Sequence, residues 1–332
     1  MDILMIGGTG NISASITRRL LERGDRVWLF NRGNHPEFEA LGANLIKGDF
    51  NDVEGMKAAL AGRKFDSVAD FVCFTPEHAM RDWSIFRGNV GQYIFISSCT
   101  VYQKPLKTFP IREDTPLKNP YSAYARNKMA SEFALLEKYR EEEFPVTIVR
   151  PSHTYGETKL VGAVLSWQDA PWTLVDRARR GQEALIHGDG RSLWTLTHSD
   201  DFAAGFVGLM GNPATAGHAF HLTSDEVLTW DEIATIFAHA CGAEPNIAHV
   251  PSEFIEENWP KFKGSLLGDK AENLVFDNGK MKRFVPGWQC RIPFREGIRR
   301  SIAYYEAHPE LQVVDDRYSR EIDAIIAKYR AL

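Results

Sequence analysis

The sequence predicts an α/β protein: a doubly wound parallel sheet with a smaller mixed α/β lobe on its C-terminal side. Three observations carry that prediction. Short apolar runs alternate with amphipathic stretches through the first 150 residues, as parallel strands joined by crossover helices do. A glycine-rich turn, Gly7-Gly8-Thr9-Gly10, separates the first apolar run from the first amphipathic stretch. Beyond Arg150 the pattern loosens, and prolines at 151, 171, 213, 245, 251, 260, 286 and 293 punctuate shorter elements.

The elements follow in order. Ile3-Leu4-Met5-Ile6 reads as a buried strand and residues 12–23 as the first helix. Further strands are expected at 26–30, 44–47, 67–72, 93–97 and 146–149, with helical patterns between most of them. In the second half, residues 184–186 and 218–222 read as strands that return to complete the sheet. The expected organisation is therefore a domain of residues 1–155, completed by about 182–223, with 156–181 and 224–332 forming the lobe. That lobe would cover the carboxyl edge of the sheet, where ligands of doubly wound sheets bind.

Composition narrows the function classes. A chain of 332 residues, 44% hydrophobic and 25% charged, has ample core for an ordinary globular enzyme. The net charge of −5 gives no global pull toward nucleic acid or an anionic membrane. Cys73, Cys99, Cys241 and Cys290 are scattered without a CxxC pair, which argues against a zinc site or a disulfide framework, and no metal is expected. Cys99 reads as a small strand-end residue, since no base is evident for a catalytic thiol. No apolar run approaches the ~20 residues of a membrane span. Strand-like sequence begins at Asp2 with no cationic leader before it, so a cytoplasmic location is expected.

Gly7-Gly8-Thr9-Gly10-Asn11-Ile12-Ser13 has the context of a dinucleotide-binding Rossmann loop, directly after one strand and opening one helix. Glycines allow a tight turn and let backbone amides approach a pyrophosphate at the helix N-terminus. Gly7, Thr9, Gly10, Asn11 and Ile12 are the candidate cofactor contacts, and a plain glycine turn is the alternative. An acid closing the second strand would bind a ribose 2′-hydroxyl, but the chain offers Asn31 and Arg32. A guanidinium suits a 2′-phosphate, so of the two NAD(P) cofactors NADP is favoured over NAD. Arg32 solvated or stacked on adenine is the competing reading. Asp49 is placed to reach the adenine, and Asp52 to cap the next helix.

Tyr124-Ala125-Arg126-Asn127-Lys128 puts a phenol and an ammonium one helical turn apart on one face. A nearby ammonium, together with a positive cofactor ring, would lower the phenol's pKa and make it an acid/base for a carbinol. Upstream, Tyr93-Ile94-Phe95-Ile96-Ser97-Ser98-Cys99-Thr100 is an apolar strand ending in hydroxyls, as a substrate-facing edge would.

Taken together, GGTGxIS, ISSxxVY before YxxxK, Arg150-Pro151 with Tyr155-Gly156, Gly188-Asp189-Gly190, His198-Ser199-Asp200-Asp201 and Pro286-Gly287-Trp288 resemble the extended short-chain dehydrogenase/reductase family, its NAD-dependent epimerase/dehydratase group. The resemblance implies that Ser98 hydrogen-bonds the reacting hydroxyl, Tyr124 is the acid/base, and Lys128 binds the nicotinamide ribose and tunes the tyrosine. Thr100 lies on the same edge, and His153 takes the place of an asparagine that contacts substrate; a hydrogen-bonded loop histidine is the other reading. The family also dimerises through a helix pair, so a homodimer is an expectation, although the segment 73–92 is short for the family.

Two departures bear on substrate. Trp194 stands where sugar-nucleotide enzymes carry an arginine that grips the diphosphate. That points to a sugar-like small molecule without a nucleoside diphosphate, lying on the indole face, or to another cation such as Arg191; core packing is the plain alternative for Trp194. Cys99-Thr100 replaces the acid pair of the dehydratases, which argues against 4,6-dehydration. The leading expectation is an epimerase or carbonyl/alcohol reductase. A UDP-sugar 4-epimerase and a non-catalytic scaffold that binds RNA or regulates are the alternatives.

Overall fold

The computed structural model describes residues 1–166 and 168–332. The first half holds β1 (Asp2–Ile6), α1 (Asn11–Glu22), β2 (Arg26–Asn31), α2 (Glu37–Ala40), β3 (Asn44–Lys47), α3 (Val53–Leu60), β4 (Ser67–Asp70), α4 (Pro76–Phe86), β5 (Tyr93–Ile96), α5 (Ala123–Glu142) and β6 (Val146–Pro151). Then come β7 (His153–Tyr155), α6 (Trp172–Arg179), β8 (Ala184–His187), β9 (Leu193–Trp194), β10 (Leu196–His198), α7 (Ser199–Leu209), β11 (Ala219–Leu222), β12 (Leu228–Thr229), α8 (Trp230–Ala240) and β13 (Ile247–Val250). The chain closes with α9 (Ser252–Asn258), a π-turn at Leu266–Lys270, α10 (Gly279–Phe284), α11 (Phe294–Ala307) and α12 (Asp316–Arg330).

Seven strands form the central sheet in the order β11-β6-β5-β4-β1-β2-β3, every pair parallel. Its apolar runs are buried on both faces, which is why they read as continuous rather than alternating. Ile3, Met5, Val27, Leu29 and Ile94 pack on the α1 and α7 side. Leu4, Ile6, Val68, Phe95 and Ile148 pack on the side that carries Met56 of α3, Phe86 of α4 and Leu135 of α5. The strand order reverses between β1 and β4, so the crevice for a dinucleotide opens there, above the C-terminal ends of the strands.

The second half corrects one expectation. Residues 219–222 do return to the sheet, as β11 beside β6. Residues 184–187 do not: β8 pairs with β13, and Leu185, Ala248 and Val250 pack with Trp259 and Tyr318 in a separate core of the lobe. A short apolar run carries no information about which distant strand it joins. Part of the late chain also returns to the first layer, where Trp288 Nε1 donates to Asp201 O (3.0 Å) beneath α7.

Helix α5 is held to β6 by a buried ion pair. Arg150 donates from Nε to Glu132 Oε1 (2.9 Å) and from Nη2 to Glu132 Oε2 (2.6 Å), and from Nη1 to Tyr102 Oη (3.1 Å). The side chains of Glu132 and Arg150 are almost wholly excluded from water. Removing one partner leaves an uncompensated buried charge. Glu132→Ala should therefore lower unfolding stability by about 3–5 kcal/mol in a denaturant titration, and a loss under about 1 kcal/mol, the range of an exposed pair, would contradict it.

Candidate active site

The loop after β1 is shaped by close contacts. Gly7 adopts φ +74°, and a Cβ there would lie 2.8 Å from Val72 Cγ1. A Cβ on Gly8 would meet Met5 Cβ and Leu29 Cδ2 at 2.7 Å, so the backbone sits directly on the sheet. Ser13, at the third glycine position, is buried and acts as a staple: its Oγ donates to Gly7 O (2.7 Å) and accepts from Gly10 N (2.9 Å). Thr17 Oγ1 donates to Gly8 O (2.7 Å).

Above this floor Gly10 is exposed, with nothing nearer to its added Cβ than Ser13 Oγ at 3.6 Å. Thr9 is half-buried beside it. Asn11 Nδ2 donates to Thr154 O (3.2 Å), while its buried Oδ1 has no partner among the described residues. An open glycine at the start of a three-turn helix and an orphaned acceptor fit a dinucleotide phosphate and its ribose.

At the end of β2, Asn31 Oδ1 accepts from Gly33 N (2.7 Å), and its Nδ2 donates to none of the described residues. Arg32 is exposed and forms no hydrogen bond or ion pair among the described residues. Asp49, also exposed, accepts from Asn51 N (2.9 Å) and Asn51 Nδ2 (3.0 Å). Asp52 caps α3, as expected, by accepting from Gly55 N (3.0 Å).

Strand β5 delivers Ser98 and helix α5 delivers the tyrosine and lysine. Ser98 Oγ accepts from Thr100 Oγ1 (2.9 Å) and Thr100 N (3.2 Å), which fixes it at the strand end. Ser122 caps α5 by accepting from Ala125 N (3.2 Å). Lys128 is 2% exposed and donates to Cys73 O and Ile96 O, both at 2.6 Å. An ammonium has three donors, so one remains. Burial lowers the Lys128 pKa to about 8, despite the opposing fields of Cys73, Asp70 and Glu132.

Tyr124 is 44% exposed, but that surface faces the crevice it lines with Ser98. Its pKa is pushed up to about 12, chiefly by the low-dielectric walls, with the Ser98 hydrogen bond acting the other way. The expected lowering by Lys128 is therefore not a property of the protein alone. The ammonium lies 5.8 Å from the ring centre and is already spent on two carbonyls.

The crevice encloses about 740 Å³ and is lined by Asn11, Ile12, Ser98, Thr100, Tyr124, His153 and Trp194 among others. The end of the glycine loop, the hydroxyl-bearing strand end and the start of α5 thus share one cavity. Trp194 is 2% exposed and packs on Trp230, ring centres 5.3 Å apart, so it offers too little surface for a sugar to stack on. Its Nε1 donates to His153 Nδ1 (3.4 Å). Burial, then Lys159 and Lys270, holds the imidazole well below its usual pKa, so His153 is neutral.

Arg191 is not part of this cavity. It lines a separate surface cleft with Asp189, Asp231 and His249, because Gly188 and Gly190 turn the loop outward with positive φ. The cations that do line the crevice are Lys159 and Lys270, beside Asp269. Nothing in the sequence marked them, since they reach the site from the loop after β7 and from the π-turn at Leu266–Lys270. Asp70, Cys73 and Asp82 also cluster, and the cation bound there is Arg81, 3.2 Å from Asp70 and 2.7 Å from Asp82.

Comparison with known proteins agrees with this geometry. The NAD dependent epimerase/dehydratase family matches residues 3–222. The chain belongs to that family. It is 28% identical over 295 residues to 2′-dehydrokanamycin reductase of Streptomyces kanamyceticus, covering 88% of this chain and 81% of that protein. It is 26% identical over 311 residues to the chloroplast stem-loop binding protein of 41 kDa b of Arabidopsis thaliana, covering 89% and 77%. The UDP-glucose 4-epimerase of Bifidobacterium longum, solved with NAD+ and UDP, has the same fold, with a TM-score of 0.75 at 20% identity over 93% of this chain and 99% of that one.

As an enzyme of the epimerase/dehydratase family, the protein rests with Tyr124 as a neutral phenol. An ordinary tyrosine is half-ionised near pH ~10. The phenolate absorbance difference between the native protein and Tyr124→Phe should therefore stay flat up to about pH 10. A step below pH ~8 in that difference would contradict the raised pKa.

Proposed function

We propose that this protein is an NAD(P)-dependent oxidoreductase that interconverts a carbinol and a ketone on a sugar-like small molecule. The observation that carries the reading is the crevice that Ser98 and Tyr124 share with Asn11 and Ile12 at the end of the glycine loop, with the Lys128 ammonium buried 5.8 Å from the Tyr124 ring centre. Gly10, Asn11 and Ile12 would hold the pyrophosphate of a nicotinamide dinucleotide, which when bound would supply or accept the hydride. Tyr124, held as a phenol, donates its proton to the carbonyl oxygen of the substrate. Ser98 Oγ hydrogen-bonds the same oxygen and orients it. The third N–H of Lys128 is the donor left for a ribose hydroxyl.

Carbonyl reduction consumes the phenol, the form that burial favours at Tyr124 in the free protein, and alcohol oxidation consumes the phenolate. The names of relatives support the class of chemistry: 2′-dehydrokanamycin reductase and 2-alkyl-3-oxoalkanoate reductase among them. Epimerisation would use the same residues in both directions. Dehydration lacks its acid beside the tyrosine, since the buried Cys99 thiol is held well above its usual pKa and Thr100 bonds Ser98. Arg32, exposed at the end of β2 with Asn31 beside it, favours the 2′-phosphate of NADP. The chloroplast relative's name speaks of stem-loop binding, and a net charge of −5 does not favour that partner here.

Tyr124→Phe tests the reading. Turnover with NADPH and a panel of keto-sugars should fall by roughly 10²–10⁴-fold, while NADPH affinity and the unfolding midpoint stay unchanged. Full turnover in this variant would remove Tyr124 from the chemistry.

A further inference from the structure

The redox reading leaves two cations in the crevice unused. Lys159 and Lys270 both line it, and neither forms an ion pair or side-chain hydrogen bond among the described residues. The carboxylates nearby are otherwise engaged. Asp169 pairs with Lys261 at 2.9 Å and accepts from Ser166 N and Oγ at 2.8 Å. Glu256 accepts from Leu266 N (2.8 Å) and Leu267 N (2.9 Å) at the start of the π-turn. Asp269 stands in the fields of both Lys270 and Lys104, and the buried Lys104 Nζ has no hydrogen-bond partner among the described residues. Of the two aspartates that line the crevice, Asp169 is paired with Lys261 and Asp269 lies beside Lys270 and Lys104, which leaves Lys159 without an acid of its own among the described residues.

Desolvation at the crevice disfavours both ammonium forms, and the field of Lys270 adds to it at Lys159, whereas Asp269 and Glu256 oppose it at Lys270. Ground-state structure gains nothing from that arrangement, whereas a bound oxyanion would relieve it. His153 adds a donor. A neutral imidazole whose Nδ1 accepts from Trp194 carries its proton on Nε2.

We propose that Lys159 and Lys270, with His153 beside them, form an anion-recognition subsite. The substrate then carries a carboxylate or a phosphate on the same molecule as its reacting carbinol or ketone. This rests on the redox reading, because it places the oxyanion in the crevice of Tyr124. It also accounts for Trp194: the cationic duty has moved to two other elements, and the indole serves to fix the imidazole that faces the same anion.

Calorimetry on the full chain tests this, with and without saturating NADPH. The probes are D-glucuronate, D-glucose 1-phosphate and UDP, with neutral D-glucose as control. At least one anion should bind about tenfold or more tighter than glucose, as charge-assisted hydrogen bonds exceed neutral ones. Binding of glucuronate alone identifies a carboxylate, and binding of glucose 1-phosphate or UDP a phosphate. The double variant Lys159→Ala/Lys270→Ala should lose that preference, and Lys159→Arg/Lys270→Arg should keep it. NADPH affinity should be the same in all three proteins. Anions that bind no better than glucose, or as well to the alanine variant as to the native protein, would overturn the subsite. Failure to bind NADPH would instead overturn the redox reading, and the anion titrations without cofactor would still decide the subsite.

Discussion

Lys128 donates to Cys73 O and to Ile96 O, each at 2.6 Å, from a position that is 2% exposed. These carbonyls belong to the chain just past β4 and to the end of β5, so one ammonium ties two neighbouring strand ends to helix α5. Its ammonium lies over Phe95 and Phe74, 5.1 and 5.0 Å from the ring centres. With that anchor set, the helical repeat alone places Tyr124 one turn toward the N-terminus, over the crevice. The cost of burying the charge appears as a pKa lowered to about 8. The Glu132–Arg150 pair fixes the same helix one turn further on, against β6. Two buried charges on one face of α5 therefore set where the phenol stands.

That placement explains the chemistry through differences of environment. Tyr124 and Ser98 share the crevice with Asn11 and Ile12 of the glycine loop, and the walls favour the neutral phenol. Burial acts on Lys128 in the same way, disfavouring the cation as it disfavours a phenolate, so the lysine's pKa falls where the tyrosine's rises. Both groups are poised to change when a charged partner arrives. The lobe contributes the rest: Lys159 and Lys270 bring positive charge that neither strand ends nor α5 supply.

Much of the first layer was legible in the sequence because its signals are local. Apolar runs at 3–6, 26–30 and 93–97 are strands buried on both faces, and Ser13 could replace a glycine because a small hydroxyl both fits and bonds Gly7 and Gly10. The spacing of Tyr124 and Lys128 gave their shared helical face directly. What failed depended on partners far along the chain. Residues 184–187 looked like a sheet strand but pair with 247–250. Arg191 looked like a substitute cation, yet two positive-φ glycines turn its loop into a different cleft. Trp194 was open between a binding face and a core residue, and its packing against Trp230 decided for the core. Lys159 and Lys270 carry no motif, and only tertiary folding brings them beside His153.

The central claim is that the Lys128 ammonium organises the redox centre and reaches the cofactor. Replacing it with an uncharged chain of similar length, Lys128→Met, and measuring NADPH affinity and turnover on the same folded sample tests this most directly. Losing a charged hydrogen bond to the ribose should weaken NADPH binding by about 1.5–3 kcal/mol. Turnover should fall by about 10²-fold or more as the phenol loses its positioned neighbour. A variant that binds NADPH and turns over like the native protein would contradict the account.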